Sequence, residues 1–267
     1  MDLSRELAVA RAAARAAGAE ALRLQAGIGS RPKADGSPVS DGDLAADRIV
    51  REAISVHFPA DAILSEELAD EQSRLANRRL WIIDPIDGTR SYVAGGGEWC
   101  VQVALAVDGV VVLGVLDLPA RGIAVWAAAG LGGGQSDAAG ERALTPVDGV
   151  RDILAGGTSE RNRNHIARIL AALPEFTHLP AQSVGVKAAQ ILLGEADLFI
   201  HSRRIAEWDA AAPAAVIQYA GGTATDLVGA GLRFNTASGK VPGFVFSRRT
   251  DHAELVQRIA AAGITCA

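Results

Sequence analysis

The sequence predicts an α+β protein in which an antiparallel sheet covered by two helices is followed by an α/β half. Residues 3–25 and 43–57 carry apolar side chains at helical spacing. Residues 98–107 and 110–117 are apolar runs joined by Asp108-Gly109, a dipeptide typical of a two-residue hairpin turn. Further along the chain, strand and helix patterns alternate, which is typical of α/β layering.

The first half is predicted to contain, in chain order, two helices and then a meander of strands. The opening helix has Leu3, Leu7 and Ala10 on one face, and the second helix begins near Asp43, a residue type suited to a helix N-terminus. Residues 27–42 are predicted to form a loop because they are rich in glycine, proline and polar side chains. Further strands are expected at residues 62–67, 80–84 and 122–128.

The second half is separated from the meander by a glycine-rich segment, residues 130–140, which is expected to be a flexible hairpin tip or a boundary region. We therefore predict two halves, residues 1–130 and residues 131–267. The elements predicted beyond the boundary are strands at 153–157, 196–201 and 241–247 and helices at 163–172, 185–194, 208–221 and 250–262.

Composition and charge exclude several classes of protein. Of the 267 residues, 49% are hydrophobic and 21% are charged, which excludes intrinsic disorder. The net charge of −5 argues against a nucleic-acid polymer as partner, because such binders carry a clustered basic surface. Cys100 and Cys266 do not suggest a disulfide framework, and the N-terminus does not resemble a signal peptide. No apolar run approaches the roughly 20 residues of a membrane span, so we expect a cytoplasmic protein.

Acidic residues stand where predicted strands end or helices begin, at Glu66-Glu67, at Asp84 and Asp87, and at Asp209. Such positions are rigid, so a carboxylate placed there can be aimed. In the run WIIDPIDGT (81–89), Pro85 and Gly88 favour a sharp turn that can point both carboxylates and the Ile86 carbonyl to one side. Oxygen ligands of this kind suit a hard divalent cation such as Mg²⁺. Taken singly, Glu67 or Asp209 could equally be a solvated charge or a helix cap.

Three segments resemble the signatures of the inositol monophosphatase-like, lithium-sensitive phosphatase superfamily. They are LSEE (64–67), WIIDPIDGT (81–89) and EWDAAAPA (207–214), in the order and spacing of that superfamily. Within it, the sequence is most similar to the 3′(2′),5′-bisphosphate nucleotidases of the CysQ type, on the evidence of KADGSPVSDGD (33–43), GEWCVQVAL (97–105) and SVGVKA (183–188). The resemblance implies a layered α-β-α-β-α sandwich, the sugar phosphatase fold.

The resemblance also implies a ligand set for two or three Mg²⁺ ions per site. Glu66, Asp84 and the Ile86 carbonyl would hold one ion, and Asp84, Asp87 and Asp209 a second, so that most ligands come from the first half and Asp209 from the second. Two such ions can clamp the entering and leaving oxygens of an in-line phosphoryl transfer.

Thr89, paired with Asp43, would orient the attacking water. The predicted catalytic residues are Asp43, Thr89 and Glu66. The segment before Asp43, Val39-Ser40-Asp41-Gly42, departs from the Thr-Ala-like pair usual in the superfamily.

Substrate contacts are predicted at helix starts and basic positions. A helix beginning near Gly88 and Thr89 would point free N–H groups at a phosphate. Ser183, Gly185 and Lys187 could form a second anion site, or they could be a helix cap with an exposed lysine. The remaining predicted contacts are Arg203 and Arg204, which could equally be solvated charges, and Glu207.

The sequence thus favours a Mg²⁺-dependent phosphomonoesterase that removes the 3′-phosphate of adenosine 3′,5′-bisphosphate, with its sulfated analogue as a second substrate and Li⁺ as an inhibitor. The alternatives are inositol-1-phosphate, histidinol phosphate or fructose-1,6-bisphosphate as substrate, or a catalytically silent protein that binds a phosphometabolite. A homodimer is one option, because the superfamily often dimerises, but the sequence assigns no interface.

Overall fold

The computed structural model describes residues 1–26, 30–32, 38–144 and 149–266, and within them the chain forms seven α-helices and sixteen β-strands. The helices are α1 (Ser4–Gln25), α2 (Asp41–His57), α3 (Thr89–Val93), α4 (Glu160–Ala172), α5 (Val184–Leu192), α6 (Glu207–Tyr219) and α7 (His252–Ala261). The strands are β1 (Ser30–Pro32), β2 (Pro38–Ser40), β3 (Ala62–Ser65), β4 (Arg79–Asp87), β5 (Cys100–Val107), β6 (Val110–Leu118), β7 (Ile123–Ala128), β8 (Gly132–Asp137), β9 (Gly140–Ala143), β10 (Ile153–Gly156), β11 (Thr177–Pro180), β12 (Leu198–His201), β13 (Ile205–Ala206), β14 (Thr223–Asp226), β15 (Lys240–Val241) and β16 (Phe244–Ser247).

The predicted pair of N-terminal helices is confirmed, and both helices cover one face of the first sheet. The buried stripe of α1 consists of alanines and Gly18, so the helix lies close to the strands. A Cβ atom added at Gly18 would stand 2.2 Å from Asp117 Oδ2, which leaves no room for a side chain there. Helix α2 packs on β4 and so fixes the strand that carries Asp84 and Asp87.

The first sheet has seven strands in the order β3-β4-β5-β6-β7-β8-β9. Its pairings are antiparallel as predicted, except that β3 runs parallel to β4. The turn at Asp108-Gly109 has φ values of 51° and 75°, as a tight two-residue hairpin turn requires.

The prediction of a flexible tip or boundary at residues 130–140 is wrong, because this segment supplies β8 and the start of β9. Its glycines allow close packing: a Cβ atom at Gly134 would lie 2.6 Å from the Trp126 ring. The first sheet therefore continues to Ala143, beyond the position where we divided the halves.

The second sheet has five strands in the order β11-β10-β12-β16-β14. The first three are parallel, and β16 and β14 are antiparallel to their neighbours. The predicted strand at 241–247 is divided into β15 and β16 around Pro242-Gly243, and the short strands β11, β13 and β14 were not predicted.

The layers stack as α-β-α-β-α, which confirms the fold predicted from the resemblance. Helices α5 and α6 lie between the two sheets and share one apolar core with both. Apolar residues of α4 and α7 pack with the second sheet to form the outer core. Among the described residues, no helix combines the length and apolarity needed to cross a membrane.

Candidate active site

Three carboxylates from two distant segments meet in the middle of the molecule. Asp84 and Asp87 stand at the end of β4, where the pairing with β5 shifts register between them. Asp209 lies in the first turn of α6. One oxygen atom from each of the three lies within 4.8 Å of the others.

The turn after Asp87 depends on a glycine. Gly88 has a φ of 97°, in the left-handed region that favours glycine, and a Cβ atom there would lie 2.5 Å from the Glu98 carbonyl oxygen. Helix α3 begins directly afterwards at Thr89, as predicted. The strand therefore ends in a fixed turn that holds the side chains on either side of it.

The electrostatics of the cluster oppose three ionised carboxylates in the metal-free protein. Burial raises the pKa of Asp84 well above its usual value, and the neighbouring charges of Glu66, Asp87 and Asp209 raise it further. Burial and the charges of Asp87 and Glu66 raise the pKa of Asp209 in the same way. Asp84 Oδ1 is buried and has no hydrogen-bond partner among the described residues.

This donor set fits a divalent cation. Carboxylate oxygens are the ligands of hard cations, and a bound cation offsets the mutual repulsion that raises these pKa values. It would also give the unpartnered Asp84 oxygen a ligand to bind.

Asp87 is held by α5. Its Oδ2 atom accepts hydrogen bonds from Ser183 Oγ at 2.5 Å and from the Gly185 N–H at 2.6 Å. These are two of the donors that we predicted for a substrate anion. The structure gives them to a carboxylate of the cluster instead, because the N-terminus of α5 faces the end of β4.

Glu66 follows β3, which pairs with β4, so its carboxylate lies close enough to raise the pKa of both Asp84 and Asp209. It is not one of the three residues whose oxygen atoms lie within 4.8 Å of one another. The strand end before it is tied to α2, because Ser65 Oγ donates to Asp47 Oδ1 at 2.6 Å.

Thr89 and Asp43 approach each other as predicted. Thr89 Oγ1 lies 3.0 Å from the Ile86 carbonyl oxygen and 3.5 Å from Asp43 Oδ1. A hydroxyl has one proton to donate, so at these distances the Ile86 carbonyl is the stronger acceptor. Asp43 is fixed by Ser40, whose N–H and Oγ both donate to Asp43 Oδ2 in a capping box at the start of α2.

Lys187 is buried beside the cluster and is not the exposed lysine of the alternative interpretation. It is 4% exposed, its Nζ donates to the Gln182 carbonyl at 2.9 Å, and it lies 4.9 Å from the centre of the Phe199 ring. Burial lowers its pKa to about 8, although Asp87 and other nearby acidic groups oppose that shift.

The two predicted arginines face different surroundings. Arg203 lines a cavity of about 110 Å³ together with Lys187, His165 and His201. Arg204 is exposed and its Nη2 donates to Ser238 Oγ at 3.2 Å. The structure therefore separates two residues that the sequence could not distinguish.

Glu207, predicted as a substrate contact, is fully buried and holds a loop instead. Its Oε1 accepts from the N–H and hydroxyl of Thr236, both at 2.7 Å, and its Oε2 accepts from the Asn235 N–H at 2.8 Å. Both carboxylate oxygens are thus used within the protein. This arrangement fixes the start of α6, two residues before Asp209.

A cleft of about 480 Å³ opens beside the cluster. Gly88 and Thr89, which directly follow Asp87, line it on one side. Gly157, Asn162 and Gln182 line both this cleft and the smaller cavity, so the two spaces adjoin. Asn162 and Gln182 were not predicted, although Asn162 lies in the first turn of α4 and Gln182 directly precedes the N-cap of α5. Residues 33–37 of the segment KADGSPVSDGD lie outside the described residues.

The five-layer fold and the group of three acidic residues that could hold a metal ion are those of a class of phosphatases that is generally metal dependent. A profile of the inositol monophosphatase family matches residues 2–262. The chain therefore belongs to the inositol monophosphatase family and is a phosphatase.

The chain is similar to named relatives over most of its length. It is 34% identical to the 3′-phosphoadenosine 5′-phosphate phosphatase of Mycobacterium leprae over 254 residues, which cover 91% of this chain and 89% of the relative. It superposes on the inositol monophosphatase (IMPase) of Thermotoga maritima with a TM-score of 0.81 and 25% identity, covering 97% of this chain and 98% of that one. For CysQ of Bacteroides thetaiotaomicron the TM-score is 0.75 at 25% identity, with coverage of 93% and 100%.

Proposed function

We propose that this phosphatase uses Mg²⁺ to hydrolyse the 3′-phosphate of adenosine 3′,5′-bisphosphate, and that it also accepts the sulfated analogue, 3′-phosphoadenosine 5′-phosphosulfate. The observation that carries the proposal is the meeting of Asp84, Asp87 and Asp209 within 4.8 Å, next in the chain to Gly88 and Thr89, which line a cleft. The name of the Mycobacterium leprae relative supports this choice of substrate.

The proposed ligands are Glu66, Asp84 and the Ile86 carbonyl for one ion and Asp84, Asp87 and Asp209 for a second, with two or three ions in the working site. When bound, the ions lower the pKa of water and stabilise charge that develops on the phosphoryl and leaving oxygens. Asp87 is suited to its role because Ser183 and Gly185 already fix one of its oxygens.

Thr89 and Asp43 are proposed to orient the attacking water. The Thr89 proton is directed at the Ile86 carbonyl or at Asp43, so the hydroxyl lone pairs can accept a proton from water. Asp43 cannot turn away, because Ser40 holds its other oxygen. The backbone at Gly88 and Thr89 borders the cleft and can donate N–H groups to the phosphate.

Lys187 and Arg203 are proposed to meet the second anionic group of the substrate. Both line the 110 Å³ cavity, which adjoins the cleft where the hydrolysed phosphate would lie. A phosphate or sulfate there would be paired with an ammonium and a guanidinium group. Arg204 and Glu207 are not included, since their observed partners are Ser238 and the loop at Asn235-Thr236.

A second candidate is the same chemistry on inositol-1-phosphate, favoured by the high structural similarity to the Thermotoga maritima protein. Phosphate release from adenosine 3′,5′-bisphosphate, inositol-1-phosphate, histidinol phosphate and fructose-1,6-bisphosphate at millimolar Mg²⁺ distinguishes the two. We expect the highest kcat/KM for the bisphosphate nucleotide and inhibition by Li⁺. A higher kcat/KM for inositol-1-phosphate would select the second candidate, and no hydrolysis of any ester would indicate a silent binding protein.

A further inference from the structure

Gln102 is a buried polar side chain that the proposed mechanism does not yet use. It lies on β5 opposite Asp84 of β4 and is 0% exposed. Neither its Nε2 nor its Oε1 completes a hydrogen bond with the described residues. A buried carboxamide without partners is unfavourable and rare in folded proteins, so this one calls for a physical explanation.

The carboxamide lies on the side of the sheet that carries the carboxylate cluster. Gln102 is the register partner of Asp84 in the antiparallel pair of β5 and β4, so the two side chains stand on the same face of the sheet. A Cβ atom added at Gly185 would lie 3.2 Å from Gln102 Nε2, so the amide occupies the gap between β5 and the first turn of α5. This is the gap across which the Gly185 N–H reaches Asp87 Oδ2.

The gap is closely packed. The same Cβ atom at Gly185 would stand 2.3 Å from Cys100 Sγ, and Cys100 is fully buried opposite Asp87. The carboxamide therefore lies in a tightly filled layer between β5, which pairs with the strand of Asp84 and Asp87, and the first turn of α5. Asp84 Oδ1, like the two polar atoms of Gln102, has no hydrogen-bond partner among the described residues.

We propose that Gln102 is a positioning residue for divalent cations, a role that rests on the proposed metal-dependent function. It holds the Asp84 and Asp87 carboxylates in their cation-binding orientation, with Nε2 donating to Asp87 once both carboxylates are ionised around a bound cation. Its Oε1 remains available to water that enters the site with the cation. Groups that orient metal ligands in this way commonly account for 10- to 100-fold in metal affinity.

The test is the volume-matched substitution Gln102→Met, assayed by titration calorimetry of the metal-free protein with Mg²⁺ and with Mn²⁺. We expect both dissociation constants to rise about 10- to 100-fold. We also expect the melting temperature of the metal-free variant to stay equal or rise, because an unpartnered buried carboxamide has been removed. A merely structural glutamine would give the opposite pair of results, a lower melting temperature with unchanged cation affinity.

Gln190→Met is the matched control, since Gln190 is 5% exposed, has a buried unpartnered Oε1 and lies towards the far end of α5 from Ser183 and Gly185. It should leave cation affinity unchanged. If Gln102→Met does not fold, Gln102→Asn, which keeps the amide but shortens it, should weaken cation binding. Unchanged affinity in a folded Gln102 variant, or equal weakening by the control, would overturn the positioning role. A wild-type protein that binds neither cation would instead overturn the metal-dependent function on which the role rests.

Discussion

Asp84 is a buried side chain with an unpartnered oxygen atom and four acidic neighbours. Replacing it with asparagine removes a negative charge that is unfavourable in the metal-free protein but is required for cation binding. We therefore expect Asp84→Asn to fold, to keep or raise the melting temperature without metal, and to lose most of the increase that Mg²⁺ gives the wild type. Turnover should fall by about 1,000-fold or more, since metal stabilisation of the transition state contributes several kcal/mol. Calorimetric melting with and without Mg²⁺ and phosphate-release kinetics measure both effects.

The control for this variant is Asp137→Asn, which changes a carboxylate on β8 that pairs with Arg142. It should melt and turn over like the wild type within a factor of two. If Asp84→Asn kept normal turnover, the proposal that this carboxylate binds the catalytic cation would be wrong.

Lys187 is the residue that should separate a substrate with two anionic groups from one with a single phosphate. Because hydrogen bonds to charged groups contribute about 1.5–3 kcal/mol, Lys187→Gln should lower kcat/KM for adenosine 3′,5′-bisphosphate roughly 10- to 100-fold. The value for a small monoester such as inositol-1-phosphate should fall much less. The measurement is kcat/KM for both substrates with each protein.

Arg204→Gln is the matched control, because Arg204 neighbours Arg203 in the chain but is exposed and bonded to Ser238. It should change neither value by more than about twofold. Equal losses on both substrates in Lys187→Gln would show that the lysine supports the acidic cluster and does not contact a second anion.

Single functional residues were predictable where the neighbouring sequence indicates which way their side chains point. Asp84 and Asp87 follow a buried apolar run and stand on either side of Pro85, and the structure brings them together as expected. Ser183 and Gly185 were recognised as donors at a helix start, but their acceptor, Asp87, is 96 and 98 residues away. Sequence alone identifies the donors of such a site but not the anion that occupies it.

At the scale of elements, the packing of α1 on β6 encloses an acidic group outside the active site. Asp117 is 8% exposed, close to Gly18 of α1, and burial raises its pKa to about 7 although Arg15 opposes the shift. The folded protein thus binds this proton more tightly than the unfolded chain does, whose aspartate pKa is about 3.9. The resulting stabilisation is complete below the unfolded pKa and is lost as the pH rises through about 7.

Raising the pH from 5 to 8 should therefore cost the protein roughly 2 kcal/mol of stability through Asp117. In Asp117→Asn this part of the pH dependence should be absent, and the variant should be more stable than the wild type at pH 8. Urea unfolding of both proteins at the two pH values, in the presence of EDTA, gives the comparison. A wild type and a variant with the same pH dependence would show that Asp117 does not hold its proton in this packing.

Elements were predicted well where local pattern and packing agree. The hairpin at Asp108-Gly109 and helix α2 follow from signals within a few residues. Strand β8 was missed because Gly133 and Gly134 suggest flexibility, whereas the structure uses them for contact with Ala220 and Trp126. A small residue is the only sequence feature that accompanies a close approach between distant elements. It does not indicate which element packs there.

At the scale of the whole molecule, the two predicted halves share one core. Helix α6 follows the first sheet by more than sixty residues, yet it packs on β4, β5, β6 and β7 and also contacts β14 of the second sheet. The buried alanines of α6, such as Ala211 and Ala215, allow both sheets to approach it. The acidic cluster is built across the same layer, because Asp209 belongs to α6 and Asp84 to β4.

This shared core predicts that the two halves unfold together. The variant Trp208→Phe keeps the tryptophans at 81, 99 and 126, all in the first half, so its fluorescence reports that half while circular dichroism reports the whole chain. In urea with EDTA we expect a single transition with the same midpoint by both probes. The first half would lose the helix that covers one face of its sheet as soon as the second half opened, and the exposed apolar surface would destabilise it. Two separate midpoints would show that the halves are independent folding units and that the cluster joins them only when a cation is bound.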